Sequence, residues 1–270
     1  MKILVTGGTG YIGSHTVVEL QKKGIEVFVV DNLSNSFENV IDQIELITGI
    51  RPGFENFDLT DRDKTSDYFS RHKDLDGVIH FAANKAVGES VSFPVKYYRN
   101  NLVSLMNILE SMTVNGIRNI VFSSSCTVYG QPEVLPVKET SPVQVAMSPY
   151  GNTKQIGEEI IRDHAAVNDI KAILLRYFNP IGAHDATILM KPTVEGAQTG
   201  LAIDGSASMK NSFGAAGAVS SLFSAASPNI VEPVAQTIGA FLANFDSDGQ
   251  TTVIYWACGI GGTELEDLGD

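Results

Sequence analysis

The fold of this chain is decided by residues 3–13, which read Ile3-Leu4-Val5-Thr6-Gly7-Gly8-Thr9-Gly10-Tyr11-Ile12-Gly13. An apolar strand runs directly into a turn with glycines at positions 7, 10 and 13. We expect Gly7 to allow a tight turn and Gly13 to let the following helix pack close to the strand. The helix begins near Tyr11. Gly10 lets the backbone come close to a pyrophosphate, which the N-terminal N–H groups and the positive dipole end of the helix would face. The pattern predicts the start of a dinucleotide-binding α/β fold, with the pyrophosphate at Gly10.

A second strand supplies the acid that such a fold uses to hold a ribose. Residues 26–30 are followed by Asp31, 18 residues after Gly13. A carboxylate there accepts hydrogen bonds from an adenosine ribose and repels a 2′-phosphate. The sequence therefore predicts NAD rather than NADP. The alternative is a glycine turn that an acid follows by chance.

Composition and charge exclude several partners. The chain has 270 residues and a formal net charge of -12, which argues against binding to nucleic acid or to an anionic membrane, since both need a basic surface. Its two cysteines, Cys126 and Cys258, match no metal-ligand spacing and suit a reducing cytoplasm. A core strand begins within three residues of Met1, so we expect no signal peptide, and no apolar run reaches the length of a membrane span. We expect a cytoplasmic protein.

Strands and helices alternate over the first two thirds of the chain. Strand patterns occupy residues 2–6, 26–30, 54–57, 77–82, 118–124 and 171–177. Helical patterns occupy residues 11–23, 37–48, 61–72, 94–114 and 149–167. The alternation predicts a doubly wound parallel Rossmann sheet with helices on both faces and ligands at the carboxyl ends of the strands.

The character of the sequence changes after His184. Of the 19 Lys and Arg residues, 17 precede Asp185, whereas 10 of the 31 Asp and Glu residues lie from Asp185 on. Residues 205–227 are mostly Gly, Ala or Ser, which supply little core volume. A helix near 230–245 and a strand at 251–256 follow. We predict two parts: a dinucleotide-binding domain over 1–184 and a small α/β C-terminal segment over 185–270, whose strands pair onto the exposed sheet edge or with another subunit.

A candidate catalytic pair opens the helix at 149–167. Ser148 can cap this helix and Pro149 suits its first position. Tyr150 and Lys154 lie four residues apart, on one helical face. A nearby ammonium favours the phenolate, so Tyr150, with an ordinary pKa of about 10, becomes usable as a general base near neutral pH. The alternative is a solvated surface pair.

A serine-rich stretch strengthens the catalytic interpretation. Residues 123–130 read Ser-Ser-Ser-Cys-Thr-Val-Tyr-Gly and follow the fifth strand at the expected ligand-binding edge. A serine hydroxyl there can hydrogen-bond the oxygen whose proton Tyr150 removes. For Ser123 we interpret the side chain only as the end of the strand.

These residues make the chain resemble the extended short-chain dehydrogenase/reductase family and, within it, the UDP-glucose 4-epimerase group. The resemblance spans residues 1–184, and its segments are 1–13, 31–35, 80–82, 85–90, 97–101, 123–130 and 176–184. It implies that Ser125, Tyr150 and Lys154 are the catalytic residues. It also implies contacts of the substrate with Ser125 and Asn179. The residues that it implies for NAD are Gly7, Gly10, Tyr11, Ile12, Gly13, Asp31, Asn32, Asn35, Asp58, Leu59, Phe81, Ala82, Lys85, Asn100, Tyr150, Lys154 and Tyr177.

The resemblance also implies a reaction. Tyr150 would remove the proton of the sugar 4-hydroxyl while hydride passes from C4 to NAD. The 4-keto sugar would then present its other face, and the hydride would return with inverted stereochemistry. The net reaction is an isomerisation between UDP-glucose and UDP-galactose, with NAD regenerated in each cycle. A homodimer is one option for the assembly.

The substrate lobe that the family carries is not recognisable after residue 184. Past Arg176 the positive side chains are Lys191 and Lys210, which is few for clamping a diphosphate, so we expect impaired activity. Residues 199–270 instead resemble an incomplete von Willebrand factor A domain. In that resemblance Asp204, Ser206 and Ser208 would bind Mg²⁺. The alternative function is thus a non-catalytic, chimeric NAD-binding protein with a Mg²⁺-dependent interaction segment.

Overall fold

The computed structural model of the chain describes residues 1–178, residue 180 and residues 252–256. Within these residues it contains seven strands, six α-helices and a 3₁₀ turn (Cys126–Tyr129). The strands are β1 (Lys2–Thr6), β2 (Glu26–Asp31), β3 (Gly53–Asn56), β4 (Gly77–His80), β5 (Asn119–Ser125), β6 (Lys171–Tyr177) and β7 (Thr252–Trp256). The helices are α1 (Tyr11–Lys22), α2 (Asn39–Thr48), α3 (Arg62–Arg71), α4 (Val87–Ser92), α5 (Pro94–Asn115) and α6 (Pro149–Val167).

All seven strands form one parallel sheet in the order β3-β2-β1-β4-β5-β6-β7. The order reverses between β1 and β4, and sheets of this kind bind ligands at that point, outside the carboxyl ends of the strands. The predicted doubly wound parallel sheet is confirmed.

Two apolar cores cover the two faces of the sheet. Successive side chains of a strand point to opposite faces. Ile3 and Val5 accordingly pack in one core with Val17 of α1, whereas Leu4 packs in the other core with Leu105 of α5. Helices therefore lie on both faces, as the alternation predicts.

Several element bounds differ by one or two residues from the sequence expectation, and two differences lie near the glycine loop or were not expected at all. β4 ends at His80 rather than at residue 82, because from Phe81 on the chain turns across the glycine loop. The Ala82 nitrogen there lies only 2.7 Å from the position that a Cβ on Gly7 would take. The short helix α4 was not predicted, since six residues are too few for a periodic pattern to be recognised.

The predicted strand at 251–256 is present as β7 and pairs in parallel with β6. Its register places Thr252 opposite Ile173 and Trp256 opposite Tyr177. Of the two arrangements expected for this strand, pairing onto the sheet edge is the one found. The predicted helix at 230–245 and the segments at 199–203 and 205–227 lie outside the described residues.

Candidate active site

One cleft lies across the carboxyl ends of the strands and has a volume of about 390 Å³. A cleft of this size is within the range that binds small molecules. Every described residue predicted to contact NAD lines it, and so does Ser125. Residues that the sequence places up to 170 positions apart, from Gly7 to Tyr177, therefore meet in one place.

The glycine loop forms the floor of the cleft below α1. Gly7 has a φ of +70°, a left-handed conformation that favours glycine. A Cβ on Gly13 would lie 2.1 Å from the Gly7 carbonyl oxygen, so only glycine allows this approach of helix to strand. Gly10 is the N-cap of α1 and has no side chain that could cap the helix. The helix N-terminus is therefore open to the cleft. The geometry expected of the loop is present.

The carboxylate of Asp31 is held at the end of β2 by three donors. Leu33 N donates to Oδ1 over 2.9 Å, Ser36 Oγ donates to Oδ1 over 3.3 Å, and Thr9 N donates to Oδ2 over 3.3 Å. These bonds fix the acid beside the glycine loop. A helix N-terminus for a pyrophosphate and an adjacent fixed acid for a ribose are the donor and acceptor set that NAD requires. The residues present fit NAD.

A second acid lines the same side of the cleft. Asp58 Oδ1 accepts from the backbone N and the Oγ1 of Thr60, over 2.8 and 2.7 Å, and Asp58 Oδ2 accepts from Asn32 Nδ2 over 3.2 Å. Partial burial raises the pKa of Asp58, but the hydrogen bonds from Thr60 and Asn32 outweigh it and the net pKa is lowered. Asp58 is therefore charged and fixed next to Asn32, both of which were predicted to contact NAD.

The first turn of α6 carries the candidate catalytic pair. Ser148 Oγ accepts from Gly151 N over 3.1 Å, which confirms the predicted N-cap, and Pro149 occupies the first turn. The Lys154 ammonium lies 5.8 Å from the ring centre of Tyr150. Tyr150 and Lys154 both line the cleft, so they are not a solvated surface pair.

Lys154 is held by the backbone of β5. Its Nζ donates to the Ser123 carbonyl oxygen over 2.6 Å, and burial lowers the pKa of Lys154 to about 8. The Ser123 side chain was interpreted only as the end of a strand; its carbonyl, which sequence reasoning missed, positions the lysine.

Two hydroxyl groups at the ends of β5 and β6 face the same cleft. Ser125 Oγ accepts from Thr127 N over 3.2 Å and caps the 3₁₀ turn. The Tyr177 hydroxyl is buried and has no hydrogen-bond partner among the described residues. Burial raises the pKa of Tyr177, so it stays a neutral donor. An unpartnered buried hydroxyl at the cleft is suited to binding a ligand.

Sequence reasoning missed a buried histidine and a buried ion pair next to the site. The first is His80, whose Nδ1 is 2.7 Å from Thr6 Oγ1. Burial, with a smaller effect of the Lys154 charge, lowers the pKa of His80 to about 3, so the ring is neutral. The second is the ion pair of Glu158 and Arg176. An arginine within the apolar strand of residues 171–177 was the available signal, since a buried charge needs a partner.

Several predicted residues lie outside the described part of the chain. They are the substrate residue Asn179 and the Mg²⁺ residues Asp204, Ser206 and Ser208. Within the described part, no group of three or more His, Cys, Asp or Glu side chains is placed to hold a metal ion. None of the described helices combines the length and apolar character that crossing a membrane requires.

The comparison with protein families agrees with the fit of the cleft residues to NAD. The sequence model of the NAD dependent epimerase/dehydratase family matches residues 3–216. The match continues past residue 184 and includes Asp204, Ser206 and Ser208. The comparisons thus give no support to a von Willebrand factor A segment with a Mg²⁺ site, or to a chimeric protein.

Curated relatives match over the first two thirds of the chain. The chain is 51% identical over 185 residues to UDP-glucose 4-epimerase of Bacillus subtilis, covering 68% of this chain and 54% of the relative. It is 47% identical over 187 residues to the enzyme of the same name from Erwinia amylovora, covering 69% and 55%. The chain spans about half the length of the curated relatives it matches.

Solved structures extend the likeness over more of the chain. UDP-glucose 4-epimerase from Bifidobacterium longum, in complex with NAD⁺ and UDP, has a TM-score of 0.78 and 33% identity, covering 95% of this chain and 78% of that one. The enzyme from Stenotrophomonas maltophila, with NAD and formylated UDP-arabinopyranose bound, has a TM-score of 0.77 and 34% identity, covering 95% and 77%. With its family match, its parallel sheet and its glycine loop, the chain belongs to the NAD dependent epimerase/dehydratase family.

Proposed function

We propose that this protein is an NAD-dependent isomerase that interconverts UDP-glucose and UDP-galactose by inverting the configuration at the sugar C4. The observation that carries the proposal is the meeting of Ser125, Tyr150 and Lys154 with the glycine loop and Asp31 in one cleft. The curated relatives named UDP-glucose 4-epimerase support it.

The cofactor side of the proposal assigns roles to the chain's own groups. The N-terminus of α1 would hold the pyrophosphate, and Asp31 would accept hydrogen bonds from the adenosine ribose and disfavour a 2′-phosphate. When bound, NAD would accept a hydride from the sugar C4 and return it. The Tyr177 hydroxyl, buried and without a described partner, would donate to a ligand in the cleft.

The catalytic side assigns proton transfer to α6. Tyr150 Oη would take the proton of the sugar 4-hydroxyl and return it. Lys154 is protonated below its pKa of about 8, and its ammonium would stabilise the Tyr150 phenolate. Ser125 Oγ would hold the sugar oxygen in reach of Tyr150, and Asn179 would contact the nucleotide sugar. Lys154 and Ser125 are buried, which strengthens their electrostatic contacts.

The experiment compares wild-type protein with Tyr150→Phe. We expect NAD to be released on denaturation of wild-type protein and UDP-galactose to be converted to UDP-glucose. Tyr150→Phe is expected to lower the conversion rate by ~100-fold or more, because the general base is lost, while NAD binding is retained. The matched control is Tyr98→Phe: the Tyr98 hydroxyl accepts from Asn152 Nδ2 and does not line the cleft.

Two results would contradict the proposal. If neither released nucleotide nor calorimetric NAD binding is found, the cofactor assignment fails. If wild-type protein binds NAD but converts no UDP-sugar, the epimerase assignment fails and the NAD site stands. We expect conversion that is detectable but slow, since residues 185–270 carry few positive side chains to clamp a diphosphate.

We also propose the assembly and the location. Val95, Leu102 and Met106 lie on one face of α5 and remain partly or largely exposed, which favours a homodimer through this helix. A light-scattering mass of one chain would contradict it. A cytoplasmic location rests on the widely separated cysteines and is tested by fractionation of the source cells.

The division at residue 184 is likewise a proposal. Residues 1–178 contain six strands and both apolar cores, so they hold the packing that a folded unit needs. Limited proteolysis is expected to leave an N-terminal fragment that contains residues 1–178 and binds NAD. First cleavage inside this range would contradict the division.

A further inference from the structure

A buried ion pair joins α6 to β6 next to the cleft. Arg176 Nε donates to Glu158 Oε1 over 2.8 Å, and Arg176 Nη2 donates to Glu158 Oε2 over 2.7 Å, so the pair is bidentate. Only 3% of the Arg176 side chain and 2% of the Glu158 side chain are exposed. Neither residue lines the cleft, and neither has a role in the proposed reaction.

Three further side chains complete the hydrogen bonds of the pair. Glu158 Oε1 accepts from Ser124 Oγ over 2.5 Å, and Glu158 Oε2 accepts from Arg162 Nη2 over 2.9 Å. Arg176 Nη1 donates to the Tyr129 hydroxyl over 2.8 Å. Burial raises the pKa of Glu158, but the bonds from Arg176 and Ser124 outweigh it and the net pKa is lowered, so the carboxylate is charged.

Three members of this network, Ser124, Glu158 and Arg176, adjoin residues of the candidate active site. Ser124 and Arg176 are opposite each other in the β5–β6 register, and the next opposite pair is Ser125 and Tyr177. Glu158 lies one helical turn after Lys154 on α6. The network therefore joins β5, which carries Ser125, to α6, which carries Lys154, and to β6, which carries Tyr177.

We propose that the Glu158–Arg176 ion pair is a positioning device, which holds α6 against β5 and β6 so that Lys154 stays seated on the Ser123 carbonyl beside Ser125 and Tyr177. Its effect on turnover rests on the proposed function. Its effect on the seating of Lys154 does not. Glu158 and Arg176 act through other residues and touch no reacting atom.

Replacing both residues of the pair by apolar ones separates an effect on the position of α6 from an effect on stability. Replacing both members of a buried ion pair by apolar side chains is often neutral or stabilising, because the desolvation of the charges is removed with their attraction. The variant Glu158→Leu with Arg176→Met is therefore expected to fold with a Tm near that of wild type. The matched control is Glu55→Leu with Arg71→Met, the same change at a bidentate pair that is partly exposed on β3 and α3.

The first readout is the pKa of Lys154, followed through the ¹³Cε signal of labelled lysine in the full chain and assigned with Lys154→Met. Burial sets this pKa at about 8 in the wild type. Around it lie Tyr150 on its own helix, the Phe122 ring at 4.9 Å, the Ser123 carbonyl, and His80 on β4. None of these groups is changed in either variant. We expect the pKa to rise by ~1 unit or more in the Glu158→Leu/Arg176→Met variant, because α6 is no longer aligned by the pair and water reaches Lys154. In the control we expect it to be unchanged.

The second readout is the split between kcat and KM. We expect kcat for UDP-galactose to fall by ~10-fold or more with KM within ~2-fold, since misplacement of catalytic groups affects the chemical step. A folded variant with the pKa of Lys154 and kcat both as in the wild type would overturn the proposal. If wild type itself shows no turnover, the proposed function fails, and the pKa of Lys154 alone decides the positioning. If the double variant does not fold, Tyr129→Phe, which removes one acceptor of Arg176, is measured in the same way and with the same criterion.

Discussion

The two halves of the sheet differ in where they place an arginine–glutamate ion pair. The nucleotide-binding half (β1–β3 with α1–α3) carries its bidentate Arg71–Glu55 pair at the outer edge, with 47% and 37% of the side chains exposed. The half that carries the proposed catalytic residues (β4–β6 with α5 and α6; the catalytic half) buries a bidentate pair of the same two residue types almost completely. Water screens the first pair and not the second. The nucleotide-binding half thus keeps its arginine–glutamate pair in contact with water, whereas the catalytic half fixes such a pair inside the protein.

The largest expected effect separates the two pairs directly. Glu158→Leu leaves the Arg176 charge buried without its partner, and we expect the free energy of unfolding to fall by about 3–5 kcal/mol. Glu55→Leu leaves Arg71 in contact with water and Asp67, and we expect a loss of about 0–1 kcal/mol. Urea titration of both variants measures the difference. Equal losses would contradict the contrast between the halves.

A backbone change tests the nucleotide-binding half. In Gly13→Ala the new Cβ would meet the Gly7 carbonyl oxygen at 2.1 Å, so the loop must move. We expect a loss of about 3 kcal/mol in unfolding free energy and a loss of NAD binding measurable by calorimetry. Gly88→Ala on α4 is the control, since no atom lies within 4 Å of its Cβ position. Wild-type NAD affinity in Gly13→Ala would show that the loop geometry is not what holds the pyrophosphate.

The pH dependence of stability tests the burial of His80 in the catalytic half. Burial lowers the pKa of His80 to about 3 from its ordinary value of 6.5, so below pH 6.5 the unfolded chain binds a proton that the folded chain does not. Stability is therefore lost as the pH falls from 6.5 towards 3. Between pH 6.5 and 4.5 this loss is about 2 kcal/mol. We expect urea titrations of His80→Gln to lack this part of the pH dependence. An identical pH dependence in the two proteins would contradict the burial of a neutral His80.

Local patterns predicted most of the fold. The apolar strands, the glycine turn, the acid at Asp31 and the Ser148 cap depend on neighbours close in sequence, so spacing alone reveals them. The same holds for the pair Tyr150 and Lys154, which one helical turn brings together.

The remainder depends on contacts between distant segments. Nothing in the spacing of Glu158 and Arg176 indicates that they pair, because that contact requires α6 to pack on β6. The Ser123 carbonyl that holds Lys154 is a backbone group, and every residue has one. Position relative to another element, rather than residue type, decides both contacts.

The pairing of β7 with β6 has a consequence for the order of folding. Between Tyr177 and Thr252 lie 74 residues, so β6 is made long before its outer neighbour. At ~5–20 residues per second, the ribosome leaves β6 as an open edge for several seconds. Pairing two strands that are so far apart in sequence costs entropy, which the rest of the sheet must offset. We expect the β7 amides to gain protection from hydrogen exchange last during refolding. The strand that carries Tyr177 is therefore open to wrong partners in a nascent chain until β7 pairs with it.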